Sequence, residues 1–197
     1  RGLFLHRLQA DGSDDRSFLD HWLTTGLWND YRLIDAQPDG RFLLCAAWTT
    51  GRISGETVTR INPDGSVDTT WPGLKAPVGS FPRSTYALDA EGRILRASIT
   101  PVSVNGSPQN RYVMERFTAQ GQRDLSLDSL GGANAAIRGL VPLRDGRIAA
   151  YGDFTSFDGI ARSRLVRLVA ENAPAVQPPE IVAVSPEAIA VRAGESL

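Results

Sequence analysis

Leu33-Ile34-Asp35-Ala36-Gln37-Pro38-Asp39-Gly40-Arg41-Phe42-Leu43-Leu44-Cys45-Ala46-Ala47 holds two apolar runs around an acidic-Gly turn. This is a β-hairpin signature: the glycine supplies the left-handed residue of the loop and the flanking runs supply the strands. The turn returns as Glu91-Gly92-Arg93 and as Asp145-Gly146-Arg147, with the glycines 52 and 54 residues apart. Apolar segments precede each copy (Leu33 to Ala36, Tyr86 to Ala90, Leu140 to Leu143) and follow it (Phe42 to Ala47, Ile94 to Ala97, Ile148 to Tyr151).

A second hairpin interleaves with the first. His6-Arg7-Leu8-Gln9-Ala10-Asp11-Gly12 is matched by Thr59-Arg60-Ile61-Asn62-Pro63-Asp64-Gly65 and by Glu115-Arg116-Phe117-Thr118-Ala119-Gln120-Gly121. Val166-Arg167-Leu168 is a truncated fourth copy. Three residues after each turn glycine stands an aspartate (Asp15, Asp68, Asp124), and three further on a large apolar residue (Phe18, Trp71, Leu127). With Pro63-Asp64-Gly65 as a three-residue loop, Arg60 faces Asp68 across the hairpin. Directly opposed residues have Cβ atoms about 4.5–5.5 Å apart. The expectation is therefore three structural pairs: Arg7 with Asp15, Arg60 with Asp68, and Arg116 with Asp124.

Two hairpins per unit of about 53 residues make four strands, and no long stretch shows the 3.6-residue period of a helix. A four-stranded antiparallel unit repeated at this length is the signature of a β-propeller blade. The expected fold is all-β, a propeller-type array of about three and a half four-stranded antiparallel blades in an incomplete ring. Residues 1–18 are read as the last two strands of a preceding blade. Residues 31–71 and 84–127 are read as complete blades, and 136–172 as a blade lacking its last strand. Residues 173–179 form a stiff Pro-rich linker.

The third unit carries a more specific pattern. Gly152-Asp153-Phe154-Thr155-Ser156-Phe157-Asp158-Gly159-Ile160-Ala161-Arg162, followed by Arg164-Leu165-Val166-Arg167-Leu168, resembles the hallmark of the bacterial delta-60 repeat family. Arg60 to Asp68 and Gln37-Pro38-Asp39-Gly40-Arg41 resemble it too, so the likeness spans roughly residues 1–169. The second unit departs from it, with a longer Ser98 to Asn110 stretch that lacks the Gly-Asp-Phe step. The resemblance implies a propeller in a large secreted or surface-attached bacterial protein, and no particular reaction. Residues 180–197, Glu180-Ile181-Val182-Ala183-Val184-Ser185-Pro186 through Leu197, resemble the first strand region of a bacterial immunoglobulin-like domain. Such a domain needs about seven strands, so this segment is expected to hold no fold of its own.

Composition excludes several function classes. Lys and Arg number 21 against 22 Asp and Glu, for a formal charge of −1, which argues against a nucleic-acid binder driven by a basic field. No run of eighteen apolar residues exists, so no transmembrane helix is expected. The single Cys45 rules out an internal disulfide framework; inside the Phe42–Ala47 strand it reads as a buried, inert thiol. Lys75 is the only lysine against twenty arginines, which suits a GC-rich bacterial genome. The chain opens on Arg1-Gly2 with no visible signal peptide, and is read as an excised piece.

Candidate chemistry is sparse. No G-x-S-x-G, H-E-x-x-H, P-loop or G-x-G-x-x-G occurs. His6 lies in a strand beside Arg7 and reads as structural. Asp11, Asp14 and Asp15 cluster around Gly12 with the wrong spacing for a calcium loop, so turn chemistry is the reading. Asn105-Gly106-Ser107 matches a glycosylation sequon and is read as a turn. No catalytic residue, metal or cofactor is assigned. The tight turns share one end of the meander and the long, varied connections the other, where binding usually resides. That end holds the candidate ligand-binding residues: His21, Trp22, Trp28 and Asp30 in one inter-blade loop, Phe81 and Arg83 in another, and Trp48 opening a third. Aromatics near charges suit sugar stacking or a protein hot spot; the competing reading is that they plug gaps between blades.

The expected function is a non-catalytic, secreted or surface-bound repeat module, a scaffold or a binder of protein or carbohydrate. A propeller-type carbohydrate-active enzyme with a carboxylate pair and a purely structural spacer are the alternatives. Further blades, or a second chain, are expected to complete the ring.

Overall fold

The computed structural model describes residues 3–18, 21–23, 28–50, 53–76, 84–127 and 132–169. The tail after Val169, with the linker and the immunoglobulin-like reading, lies outside them. Among the described residues there are only strands and turns, and no helix is long and apolar enough to cross a membrane.

The first sheet pairs β1 (Leu3–Leu5) with β2 (His21–Leu23). The second holds β3 (Trp28–Ala36), β4 (Phe42–Thr50), β5 (Ile53–Ile61) and β6 (Leu74–Lys75) in that spatial order. The third holds β7 (Thr85–Leu88), β8 (Ile94–Val104), β9 (Ser107–Phe117) and β10 (Arg123–Asp124), again in order. The fourth unit starts with β11 (Ile137–Pro142) and β12 (Ile148–Gly152), inserts a small hairpin of β13 (Ser156–Phe157) and β14 (Ile160–Ala161), and closes with β15 (Leu165–Leu168). Its main sheet is β11-β12-β15. All pairings between strands are antiparallel. The leading strand β7 lies against both β3 and β11, so successive sheets meet along their first strands. This is the meander of an incomplete β-propeller.

Six turns share one conformation. The amides of Gly12, Gly40, Gly65, Gly92, Gly121 and Gly146 each donate to the carbonyl three residues back, at 2.9–3.0 Å. Their φ angles are 73–89°, so each loop is a type I turn followed by a left-handed residue, which only glycine adopts without strain.

The sheets pack through two apolar clusters. Leu43, Cys45, Val58, Trp71 and Leu74 of the second sheet meet Ile94 and Phe117 of the third, with Tyr86 and Leu88 at the margin. Leu95, Ala97, Met114, Leu127 and Ala133 of the third meet Ile137, Leu140, Ile148, Ala150, Phe154, Phe157 and Val166 of the fourth unit. The inserted hairpin stitches the last two units together: Ala133 bridges Tyr112 on one side and Phe157 on the other. Asn134 Oδ1 accepts the Thr155 and Ser156 amides at 2.9 and 3.0 Å, and Asp158 Oδ1 accepts the Gly132 amide at 2.6 Å. The Phe154–Asp158 segment is thus an inter-sheet clasp.

The long connections differ from their sequence reading. Ile99 to Asn110 is not a loop: β8 and β9 pair without interruption to Val104 and Ser107. Asn105 and Gly106 close them with φ of 51° and 78°, the two positive values of a type I′ turn. Trp48 to Glu56 likewise extends β4 and β5. Alternating apolar residues stop at the edge of the core, but backbone pairing continues beyond it, and composition does not report that. The fourth strands are also split. Ile61 bridges Val67, and the strand resumes only at β6 after the Trp71 corner, so the second sheet runs from Trp28 to Lys75.

Candidate functional site

The repeated arginine and aspartate form three ion pairs. Nε of Arg7, Arg60 and Arg116 donates to Oδ2 of Asp15, Asp68 and Asp124 at 2.8, 2.9 and 2.7 Å. Asp124 is the direct cross-strand partner of Arg116. The other carboxylate oxygen, Oδ1, accepts the amide and hydroxyl of the residue two positions on: Ser17, Thr70 and Ser126. The Thr70 hydroxyl, then Arg60, hold the Asp68 carboxyl down at about 2. Asp15 is held low by Ser17 first and Arg7 second. In Asp124, burial pushes upward and is outweighed by Ser126 and Arg116. A carboxylate with this many donors is favoured in its charged form.

Two of the three arginines also reach the next sheet. Arg7 Nη1 donates to the Pro63 carbonyl, and Arg60 Nη1 donates to the Ala119 carbonyl at 3.0 Å. Both acceptors lie three residues after the arginine of the following unit. Ala119 O accepts Trp71 Nε1 at 3.2 Å and Gln37 Nε2 at 3.1 Å as well. The guanidinium groups stack on the aromatic of their own corner, Arg7 on Phe18 and Arg60 on Trp71. The tight-turn end is therefore a hydrogen-bonded belt between sheets. Asp11 is used locally, accepting the Ser13 amide and hydroxyl, while Asp14 meets His6 Nε2 at 3.1 Å. Among the described residues no group of three or more His, Cys, Asp or Glu could hold a metal.

Two further charged nodes were not read from the sequence. Glu56 is buried, 3.2 Å from Arg32 Nη2, and accepts the Ser84 amide at 3.1 Å. Arg32 also donates to the Ser84 carbonyl and stacks on Tyr86, tying the second sheet to the third. Cys45 lies beside this node; burial, then the Glu56 charge, push its thiol up to about 11, so it is protonated at neutral pH. Arg96 binds Glu115 at 2.6 Å and donates to the Lys75 carbonyl at 2.9 Å. This pair was legible: counting outward from the Asn105-Gly106 turn sets Arg96 opposite Glu115, as the register has it. The Glu56 node was not, because its partners come from two sheets.

The candidate binding residues are arranged otherwise than a loop reading supposes. His21 and Trp22 lie in β2, opposite Leu5 and Phe4. Trp28 opens β3, opposite Trp48 in β4, and Trp48 in turn faces Gly55 in β5. Asp30 lies in β3, opposite Ala47. The correction has one cause: strand pairing resumes after each corner, so residues between the corner and the next hairpin are drawn into sheets. Phe81 and Arg83 lie outside the described residues. The Trp48 indole covers Gly55 so closely that a Cβ there would sit 2.7 Å from the ring. Gly55→Ala is therefore expected to expel the ring at a cost of about 1–3 kcal/mol. Red-shifted tryptophan emission in the variant, absent when the change is made in a Trp48→Phe background, checks it.

A family model described as "Domain of unknown function (DUF5122) beta-propeller" matches residues 143–170. The matched segment runs from the Gly146 turn through the Phe154–Phe157 clasp to β15. The chain is an array of propeller blades. No curated protein and no solved structure matches it.

Proposed function

We propose that this chain is a non-catalytic propeller repeat module that acts outside a bacterial cell or on its surface, presenting its long-hairpin end to protein or carbohydrate. One observation carries the reading: the buried charged residues Glu56, Arg60, Asp68, Arg96 and Arg116 are all spent on ion pairs that build or join sheets. Each of these groups is engaged by partners within the array, and burial holds the Cys45 thiol protonated. The β4–β5 and β8–β9 hairpins extend from a rigid array on the end opposite the tight turns, and variable extensions on a rigid scaffold are where recognition usually sits. The extracellular address rests on the delta-60 resemblance, which the propeller match over 143–170 supports at the level of fold.

Trp22→Ala, Trp28→Ala and Trp48→Ala test the binding end. Each variant is assayed for thermal stability and for retention on a glycan array and on bacterial envelope fractions. Binding lost with stability kept supports the reading; stability lost with binding unchanged makes the rings packing elements and favours a structural spacer. Turnover on a carbohydrate panel, abolished by a carboxylate change, would replace the reading with that of an enzyme.

A further inference from the structure

The second and third sheets each turn one face toward their successor, and the same face of the fourth sheet is exposed among the described residues. Counting five residues beyond the first-hairpin glycine gives Cys45, Ala97 and Tyr151. Cys45 and Ala97 are 1% and 4% exposed, within the clusters that join their sheets to the next; Tyr151 is 49% exposed. Counting two residues before the repeated arginine gives Val58, Met114 and Leu165. The first two are 0% and 1% exposed, and Leu165 is 60% exposed. Tyr151 and Leu165 are direct cross-strand partners, so they form one patch, and exposed Val141 lies across from Ala149 on the same sheet. The Tyr151 ring covers Gly139, where a Cβ would meet it at 2.1 Å.

The opposite end of the array carries the complementary half. The residue after the repeated arginine is Leu8, Ile61, Phe117 or Leu168. Ile61 is 0% exposed, and Phe117, at 7%, packs toward the preceding sheet; Leu8 is 57% exposed. The hydrogen-bonding rule of the belt completes the match. Arg7 reaches Pro63 O and Arg60 reaches Ala119 O, each the third residue after the next arginine. By the same rule exposed Arg167 reaches the third residue after an arginine that begins another such turn. Exposed Ala10, three residues after Arg7, meets that requirement.

We propose that the uncovered face of the fourth sheet is a docking surface for a sheet of this same repeat, and that the first sheet of a second copy occupies it head to tail, with Tyr151 and Leu165 meeting Leu8 and Arg167 bonding to the Ala10 carbonyl. The contact continues an interface repeated along the array, and being heterologous it builds a ring or an open chain. Sedimentation velocity of the 197-residue chain over a concentration series tests it. The wild type grows in mass with concentration. Leu165→Glu and Leu8→Glu, both at exposed sites, each weaken association about thirtyfold or more, the loss typical of a hot-spot residue. An equimolar mixture of the two variants forms one-to-one pairs and nothing larger, because one intact half remains on each. That recovery also shows both variants to be folded. A wild type that stays monomeric overturns the proposal. So does an association abolished by Leu165→Glu and indifferent to Leu8→Glu, which would mean two fourth sheets meeting face to face.

Discussion

Phe154→Ala is expected to lower the unfolding free energy by about 3–5 kcal/mol, the range for truncating a buried phenylalanine to alanine. Phe154 is fully buried and sits edge-on to Phe157, 5.7 Å between ring centres. Both rings lie in the cluster that joins the third sheet to the fourth unit. The loop around them has little slack to refill the void. Asn134 and Asp158 fix it by side-chain hydrogen bonds to Thr155, Ser156 and Gly132, and Asp158 itself holds a left-handed φ of 48°. The matched control is Ile160→Ala in the same small hairpin, where the side chain is mostly exposed; its effect should stay within about 0.5 kcal/mol. Urea unfolding at fixed protein concentration measures both. A Phe154 variant no less stable than the Ile160 variant would remove the clasp from the account.

The repeat carried most of the architecture. Six acidic or polar turns with glycine at a fixed place predict six hairpins, because the left-handed residue of a three-residue loop admits little else, and all six adopt that conformation. The eight-residue spacing of arginine and aspartate fixed which side chains meet, since register follows from loop length once the turn type is known. The places where the reading fell short share a property: they depend on what lies outside one hairpin. His21, Trp22 and Trp28 read as loop residues, because nothing in their composition reports pairing with strands that come before and after. Glu56 belongs to no repeated motif, yet it is buried by Arg32 from another strand and Ser84 from beside another sheet. The reach of Arg7 and Arg60 into the next turn was equally invisible. It is nevertheless periodic, and periodicity is what allows it to be extended to Arg167.

Removing one partner of the Arg60–Asp68 pair should cost about 3–5 kcal/mol, because it leaves the other charge buried without its nearest counter-ion. The pair closes at 2.7 Å between Nη2 and Oδ2, with both side chains nearly inaccessible. Arg60→Met takes from Asp68 the nearer of its two guanidinium partners, leaving Arg41 Nε at 3.6 Å, and also removes the donor to Ala119 O, so it should loosen the second sheet from the third. Asp68→Ala instead strands the guanidinium over Trp71. The double variant should lose clearly less than the sum of the two, since neither charge is then left alone. Arg7–Asp15 is the internal comparison: Arg7 is far more exposed than Arg60, and Arg7→Met should cost much less. The pair also sets a direction for pH. Asp68 titrates at about 2 in the folded chain against roughly 3.9 when unfolded. Its contribution is therefore fully present above about pH 4 and fades as pH falls through that interval. Asp15 and Asp124, also held low, act in the same sense. Unfolding midpoints collected from neutral pH downward should fall more steeply below about pH 4 in the wild type than in Asp68→Ala, which has no such carboxylate to protonate. Parallel curves for the two proteins would mean that the carboxylate is not held in its charged form by the fold, and that the belt owes its strength to the backbone carbonyls alone.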